Sequence, residues 1–181
     1  MKKIDVSIGV FISCILLMSF INPDDWFLFE AKNCKIYFPQ KPTEQSQTIV
    51  TAIGELKLNI YMYQVPDNKE DDNLVYGLIE SDYPDSLINS NKKDILDNFF
   101  RNSIDGAVNN VHGKLLSESK IQLDSFPGRE VRIDFRDGLA VLKMRIYLVR
   151  NKMYMEQTIT DTKKDFNKSI DRFMDSFKLV N

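Results

Sequence analysis

Two stretches of this chain alternate apolar and polar side chains with a period of two. Leu56, Leu58, Ile60 and Met62 alternate with Lys57, Asn59, Tyr61 and Tyr63, and Leu142, Met144, Ile146 and Leu148 with Lys143, Arg145 and Tyr147. That pattern specifies strands with one face for a core, because a slip of one residue would turn every apolar side chain outward. The first run closes a hairpin with EQSQTIVTA through a turn at Ile53-Gly54-Glu55. The second continues through Arg150-Asn151-Lys152 into MYMEQTIT.

Further strands are read at WFLFEA and CKIYFP, two short segments around a Lys32-Asn33 turn that suit a sheet edge. Others are read at NLVYGLIESDY, at KLLSESKIQL, and at REVRIDF after a Phe126-Pro127-Gly128 turn. The helical period appears twice. Leu96, Phe99, Phe100, Ile104, Ala107, Val108 and Val111 recur at three and four as far as Gly113, with Asn91 and Asp94 placed to cap the start. Phe166, Ile170, Phe173 and Phe177 form a second stripe, with Thr162 and Asp165 opening a capping box. Successive strands interrupted by two helices indicate α+β: an antiparallel β-sheet with helices packed on its faces.

The totals fit one domain. The 181 residues are 43% hydrophobic, enough to bury a core without a staple. Lys and Arg number 24 against 26 Asp and Glu, and a formal charge of −2 gives no electrostatic footprint for nucleic acid.

Residues 1–22 read as a signal peptide or N-terminal membrane anchor and residues 23–181 as an extracytoplasmic domain. Lys2 and Lys3 precede an apolar run from Val6 to Ile21, which stops at Asn22-Pro23-Asp24-Asp25. As helix the run would rise about 24 Å, short of the ~30 Å hydrocarbon core but longer than the usual signal-peptide apolar region. Cleavage after Ser19 would leave Leu17 where a small residue is preferred. Cleaved signal, retained anchor and lipidation of Cys14 therefore stay open, and in each the lysines favour a cytoplasmic N-terminus with the domain outside.

FPQKP (Phe38 to Pro42), SDYPDS (Ser81 to Ser86), the helix end DGAVNNVHGKLLSE and PGRE (Pro127 to Glu130) together resemble the bacterial domains of the PsbP-like superfamily, from about Trp26 onward. The resemblance implies a PsbP-like α/β/α sandwich. Members of that superfamily serve as accessory subunits of photosystem II or bind a small GTPase. No photosystem-specific residues carry over, and an exported domain cannot meet a cytosolic GTPase.

The chain carries no G-x-S-x-G, H-E-x-x-H, Walker or G-x-G-x-x-G pattern, and its single histidine, His112, is placed to end the long helix. With Cys34 the one cysteine of the domain, no internal disulfide forms, a zinc or copper site lacks ligands, and the thiol reads as a small side chain entering a strand. Asp67, Glu70, Asp71 and Asp72 lack the glycine and terminal glutamate of a calcium loop. No catalytic, cofactor-binding or metal residues are therefore expected.

The surface singled out is the polar side of the sheet, where Tyr61, Tyr63, Arg132, Lys143, Arg145, Tyr147 and Tyr154 gather among Glu130, Asp134 and Glu156. Tyr and Arg anchor binding surfaces, but the same residues also serve as cross-strand pairs or as stems under a helix. The reading that follows is a non-catalytic binding or accessory module at the cell envelope, working through a sheet face or a groove beside a helix. Its partner would be an unidentified protein or small ligand, with membrane contact through the N-terminal segment. The alternatives are an extracytoplasmic carboxylate-dependent enzyme and an anchored structural envelope component.

Overall fold

The computed structural model describes residues 26–51 and 53–180. The run at 1–22, with Cys14, lies outside the described residues. The chain order is β1 (Phe27–Glu30), β2 (Cys34–Phe38), β3 (Thr43–Thr51), β4 (Gly54–Gln64), β5 (Asn73–Asp82), α1 (Lys93–Asn110), β6 (Lys114–Leu123), β7 (Phe126–Phe135), β8 (Ala140–Val149), β9 (Lys152–Asp161), α2 (Lys168–Asp175) and β10 (Lys178–Leu179). Seven strands form one antiparallel sheet in the order β3-β4-β5-β9-β8-β7-β6, and β1-β2-β10 form a second, smaller sheet. The α+β reading holds.

The alternation in β8 places its two sets of side chains in two cores. Leu142, Met144, Ile146 and Leu148 meet Phe99, Phe100 and Ile104 of α1. Tyr147 lies in the other cluster, with Tyr76, Leu78 and Tyr154 of the sheet, Ile170, Phe173 and Met174 of α2, and Phe29, Ile36 and Phe38 of the small sheet. The central strands are consequently buried on both faces, as a sheet covered by two layers must be.

Five expectations are corrected. β1 and β2 do not extend the edge of the main sheet; their inward residues Phe29, Ile36 and Phe38 are apolar enough to pack face-on over it. β7 begins at Phe126, and the turn before it falls at Asp124-Ser125, with Asp124 at φ 53°. Phe126-Pro127-Gly128 belongs to the strand, and a Cβ at Gly128 would lie 2.5 Å from the Tyr147 ring.

The helix starts also shift. Asn91 does not cap α1: the N-cap is Lys92, with no side-chain bond, and the preceding turn is closed by the Asn91 N–H donating to Asn89 Oδ1 at 2.9 Å. Thr162 and Asp165 do not open α2, because Asp161 caps a separate 3-10 turn, Thr162–Lys164. Asn167 caps α2 instead, its Oδ1 accepting from the Ile170 N–H at 3.0 Å. Phe166 therefore leaves the apolar stripe: it sits before the helix at φ 65°, 70% exposed, and Met174 joins the buried side instead.

The end of α1 explains His112. The Gly113 N–H reaches Val108 O at 2.9 Å and the His112 N–H reaches Asn109 O at 3.1 Å, the paired bonds of a Schellman cap, with His112 in the left-handed region at φ 48°. Glycine follows because a Cβ at 113 would lie 2.3 Å from the Asp134 carbonyl oxygen of β7.

Candidate functional site

All seven residues of the polar sheet side do share one face. Register places Tyr61 beside Leu78, Tyr63 beside Tyr76, Arg132 beside Lys143, Arg145 beside Glu156, and Tyr147 beside Tyr154. That face is the floor under α2 and the small sheet. Tyr147 and Tyr154 are buried, with Tyr147 stacked on Phe177 at 6.2 Å and 3° between planes. Tyr61 packs against Phe29 at 4.4 Å, and Tyr63 stacks on Tyr76 at 6.4 Å.

The cations of this face tie the layers together. Arg145 donates from Nε to Glu130 at 2.8 Å and from Nη1 to Asp175 of α2 at 2.7 Å. Lys143 lies 3.8 Å from both Glu130 and Asp171 of α2. Arg132 pairs with Asp165 and lies 4.1 Å over the Phe166 ring. Asp134 turns to the hairpin end, accepting from the Gly138 N–H at 2.7 Å. Each side chain is engaged within the fold.

Burial dominates the electrostatics here. It pushes Tyr61 up to about 12 and raises Tyr147 and Tyr154 further. Burial would lower Arg145, but its bonds to Glu130 and Asp175 outweigh that and hold it above its ordinary value. Glu156 is fully buried, and neither carboxylate oxygen has a hydrogen-bond partner among the described residues. Burial holds its pKa well above the usual carboxylate range against the counter-pull of Arg145, with Asp175 and Glu130 adding to the rise.

Cys34, the first residue of β2, is fully buried and donates its thiol to Glu80 Oε1 at 3.1 Å; burial, then the Glu80 charge, push the thiol far up, away from reactivity. In the acidic loop, Asp71 accepts from the Asn73 N–H at 2.9 Å and the Tyr76 hydroxyl at 2.7 Å, and Asp72 faces Lys164 at 3.7 Å.

The open site lies on the other side of the main sheet, beside α1. Two cavities of about 480 Å³ each run into one another there, sharing Thr51, Leu56, Tyr83, Asn102 and Ser103 in their walls. Together they form a groove between the α1 flank and the β3–β4 hairpin. Its floor includes Met144, Met153 and Met155, whose flexible thioethers adapt to varied apolar shapes. Its helical wall is small and polar: Asn98, Asn102, Ser103, Gly106 and Asn110. Ser103 is occupied by donation to Phe99 O at 2.8 Å, and the Tyr83 hydroxyl points at Met153 Sδ, 3.9 Å away.

Among the described residues Tyr83 is the only ionisable side chain in the lining, and burial raises it. The described lining thus offers apolar contact with amide and hydroxyl hydrogen bonding. Glu156, the carboxylate raised by burial, lines neither cavity.

The sequence marks this groove at one place. Gly106 interrupts a helix at a cost of ~1 kcal/mol relative to Ala, yet nothing lies within 4 Å of where its Cβ would be. No close contact demands that glycine, and it stands in the groove wall.

No family model matches this chain, and no curated protein does. Among solved structures, the solution structure of cyanobacterial PsbP (CyanoP) from Synechocystis sp. PCC 6803 superposes with a TM-score of 0.52 at 15% identity, covering 85% of this chain and 92% of that one. The fold is PsbP-like.

Proposed function

We propose that this PsbP-like domain, an α/β/α sandwich, is a non-catalytic accessory module that receives an apolar segment of a protein partner in the groove beside α1. The carrying observation is the groove itself: two confluent cavities with a methionine floor, an amide-bearing helical wall and, among the described residues, no ionisable group but Tyr83. The likeness to a cyanobacterial PsbP is one of fold, and because fold alone does not name an activity the accessory reading rests on the groove. On the same reading the domain acts outside the cytoplasmic membrane, held or delivered by the apolar run Val6 to Ile21 behind two lysines.

The test is site-specific photo-crosslinking in the native host. A photoreactive residue at Asn102, in the groove wall, should give a discrete partner adduct, and one at exposed Lys163 should give none. Equal adducts from both positions, or none from Asn102, would overturn the groove as the binding site.

A further inference from the structure

We infer that the outer face of the small sheet, β1-β2-β10, rests on an anionic lipid surface. Register divides this sheet cleanly. Phe29, Ile36 and Phe38 turn inward, whereas Leu28 pairs with Tyr37, and Glu30 and Lys178 both flank Lys35 on the outer side. Leu28 is 39% and Tyr37 42% exposed, giving an apolar pair at the centre of an otherwise solvated face.

The charges beside that pair are arranged against their own stability. Lys35 stands directly across from Lys178, and like charges directly opposite in a ladder repel. The lysine ion pairs of the described residues run through Lys120, Lys143, Lys152 and Lys164, and none involves Lys35 or Lys178. Among the described residues Glu30 is the carboxylate on this face, standing opposite Lys35 without closing an ion pair to it. An anionic surface would relieve the repulsion while the apolar pair enters the headgroup boundary, where a Tyr ring with a polar tip is favoured.

Chain length fixes which surface that is. The apolar run ends at Ile21 and β1 begins beside Trp26, five residue steps later. At ~3.5 Å per extended residue those steps span at most about 17 Å. A membrane holding the run therefore lies within that distance of the start of β1, which keeps the small sheet close to it. This rests on the reading of Val6 to Ile21 as the membrane-held segment.

The experiment uses the full chain reconstituted into vesicles of phosphatidylglycerol, into vesicles of phosphatidylcholine alone, and into detergent. A water-soluble amine-acetylating reagent is applied, and each lysine is read by peptide mass spectrometry together with the N-terminal peptide. Lys120, whose side chain is 76% exposed, serves as the internal reference. Labelling of Lys35 and Lys178 relative to Lys120 should fall at least threefold in phosphatidylglycerol and stay at the detergent level in phosphatidylcholine. Labelling at the detergent level in both vesicles would overturn the proposal. The variant Tyr37→Ser, checked for an unchanged thermal midpoint, should lose the protection.

The N-terminal peptide separates the two readings. If it is missing, the membrane-held segment fails as a premise, and the soluble chain is mixed with preformed phosphatidylglycerol vesicles. Protection of the two lysines in that mixture upholds the lipid-binding face on its own, and unchanged labelling overturns it.

Discussion

Arg145 and Glu156 stand directly opposite each other in the β8–β9 ladder, yet the guanidinium is bonded to Glu130 and Asp175, and the Glu156 carboxylate is left unbonded beneath α2. The arginine thus ties α2 to the sheet, and the glutamate is kept near its neutral form by burial.

This arrangement predicts a pH dependence of stability. The folded pKa of Glu156 lies above its ordinary value of 4.5, so the folded state holds the proton longer than the unfolded one. Its contribution is fully present below pH 4.5 and is lost as pH rises toward the folded pKa. Glu156→Gln removes that loss. Denaturant melts should show the variant matching the parent near pH 4 and exceeding it by a margin that grows as pH rises to 8. Parallel pH profiles for the two proteins would contradict the assignment.

One substitution, Gly to Ala, should act with opposite sign at two positions near the C-terminal end of α1. At Gly106 nothing lies within 4 Å of the new Cβ, so Ala should stabilise by about 0.5–1 kcal/mol through helix propensity. At Gly113 the Cβ would lie 2.3 Å from Asp134 O, so Ala should destabilise by about 1–3 kcal/mol. Thermal midpoints of the two variants check both signs in one experiment.

Helix capping gives a third contrast. Asn167 caps α2 and its Nδ2 donates to Asn73 Oδ1 at 3.0 Å, so Asn167→Ala should cost about 1–2 kcal/mol. Asn91→Ala should lie within about 0.5 kcal/mol of the parent, because its side chain makes no cap. Equal losses at the two sites would restore Asn91 as a cap.

The strands and α1 were legible because their periodicities are local: Leu142 to Leu148 and Leu96 to Val111 declare their faces without reference to anything else. The sequence offered the polar-looking face either as a binding surface or as paired residues and stems under a helix, and the structure has it covered by α2. Lys143, Arg145 and Tyr147 look solvent-directed in a list of residues, but each is a long or amphipathic side chain whose tip finds a partner on α2 or just beyond it, Asp171, Asp175 and Phe177 respectively. That pairing is tertiary, and no spacing encodes it. Phe166 failed for a related reason: four-residue spacing to Ile170 fits a helix, but Asn167 starts the helix one residue later. The groove was foreseen only as a groove beside a helix. Its walls come from β3, β4 and α1, distant in sequence, and Gly106 was its one local sign.

The central claim, that a partner seats in the groove beside α1, is tested most directly at Gly106. Gly106 lies in the groove wall and nothing lies within 4 Å of where its Cβ would be, so Gly106→Trp has room to obstruct the groove while Gly106→Ala leaves it open. The measurement is the yield of the Asn102 photo-crosslinked adduct in each background, with folding verified by circular dichroism. Parental yield is expected with Ala and at least a tenfold loss with Trp. Parental yield with a folded Gly106→Trp protein would contradict it.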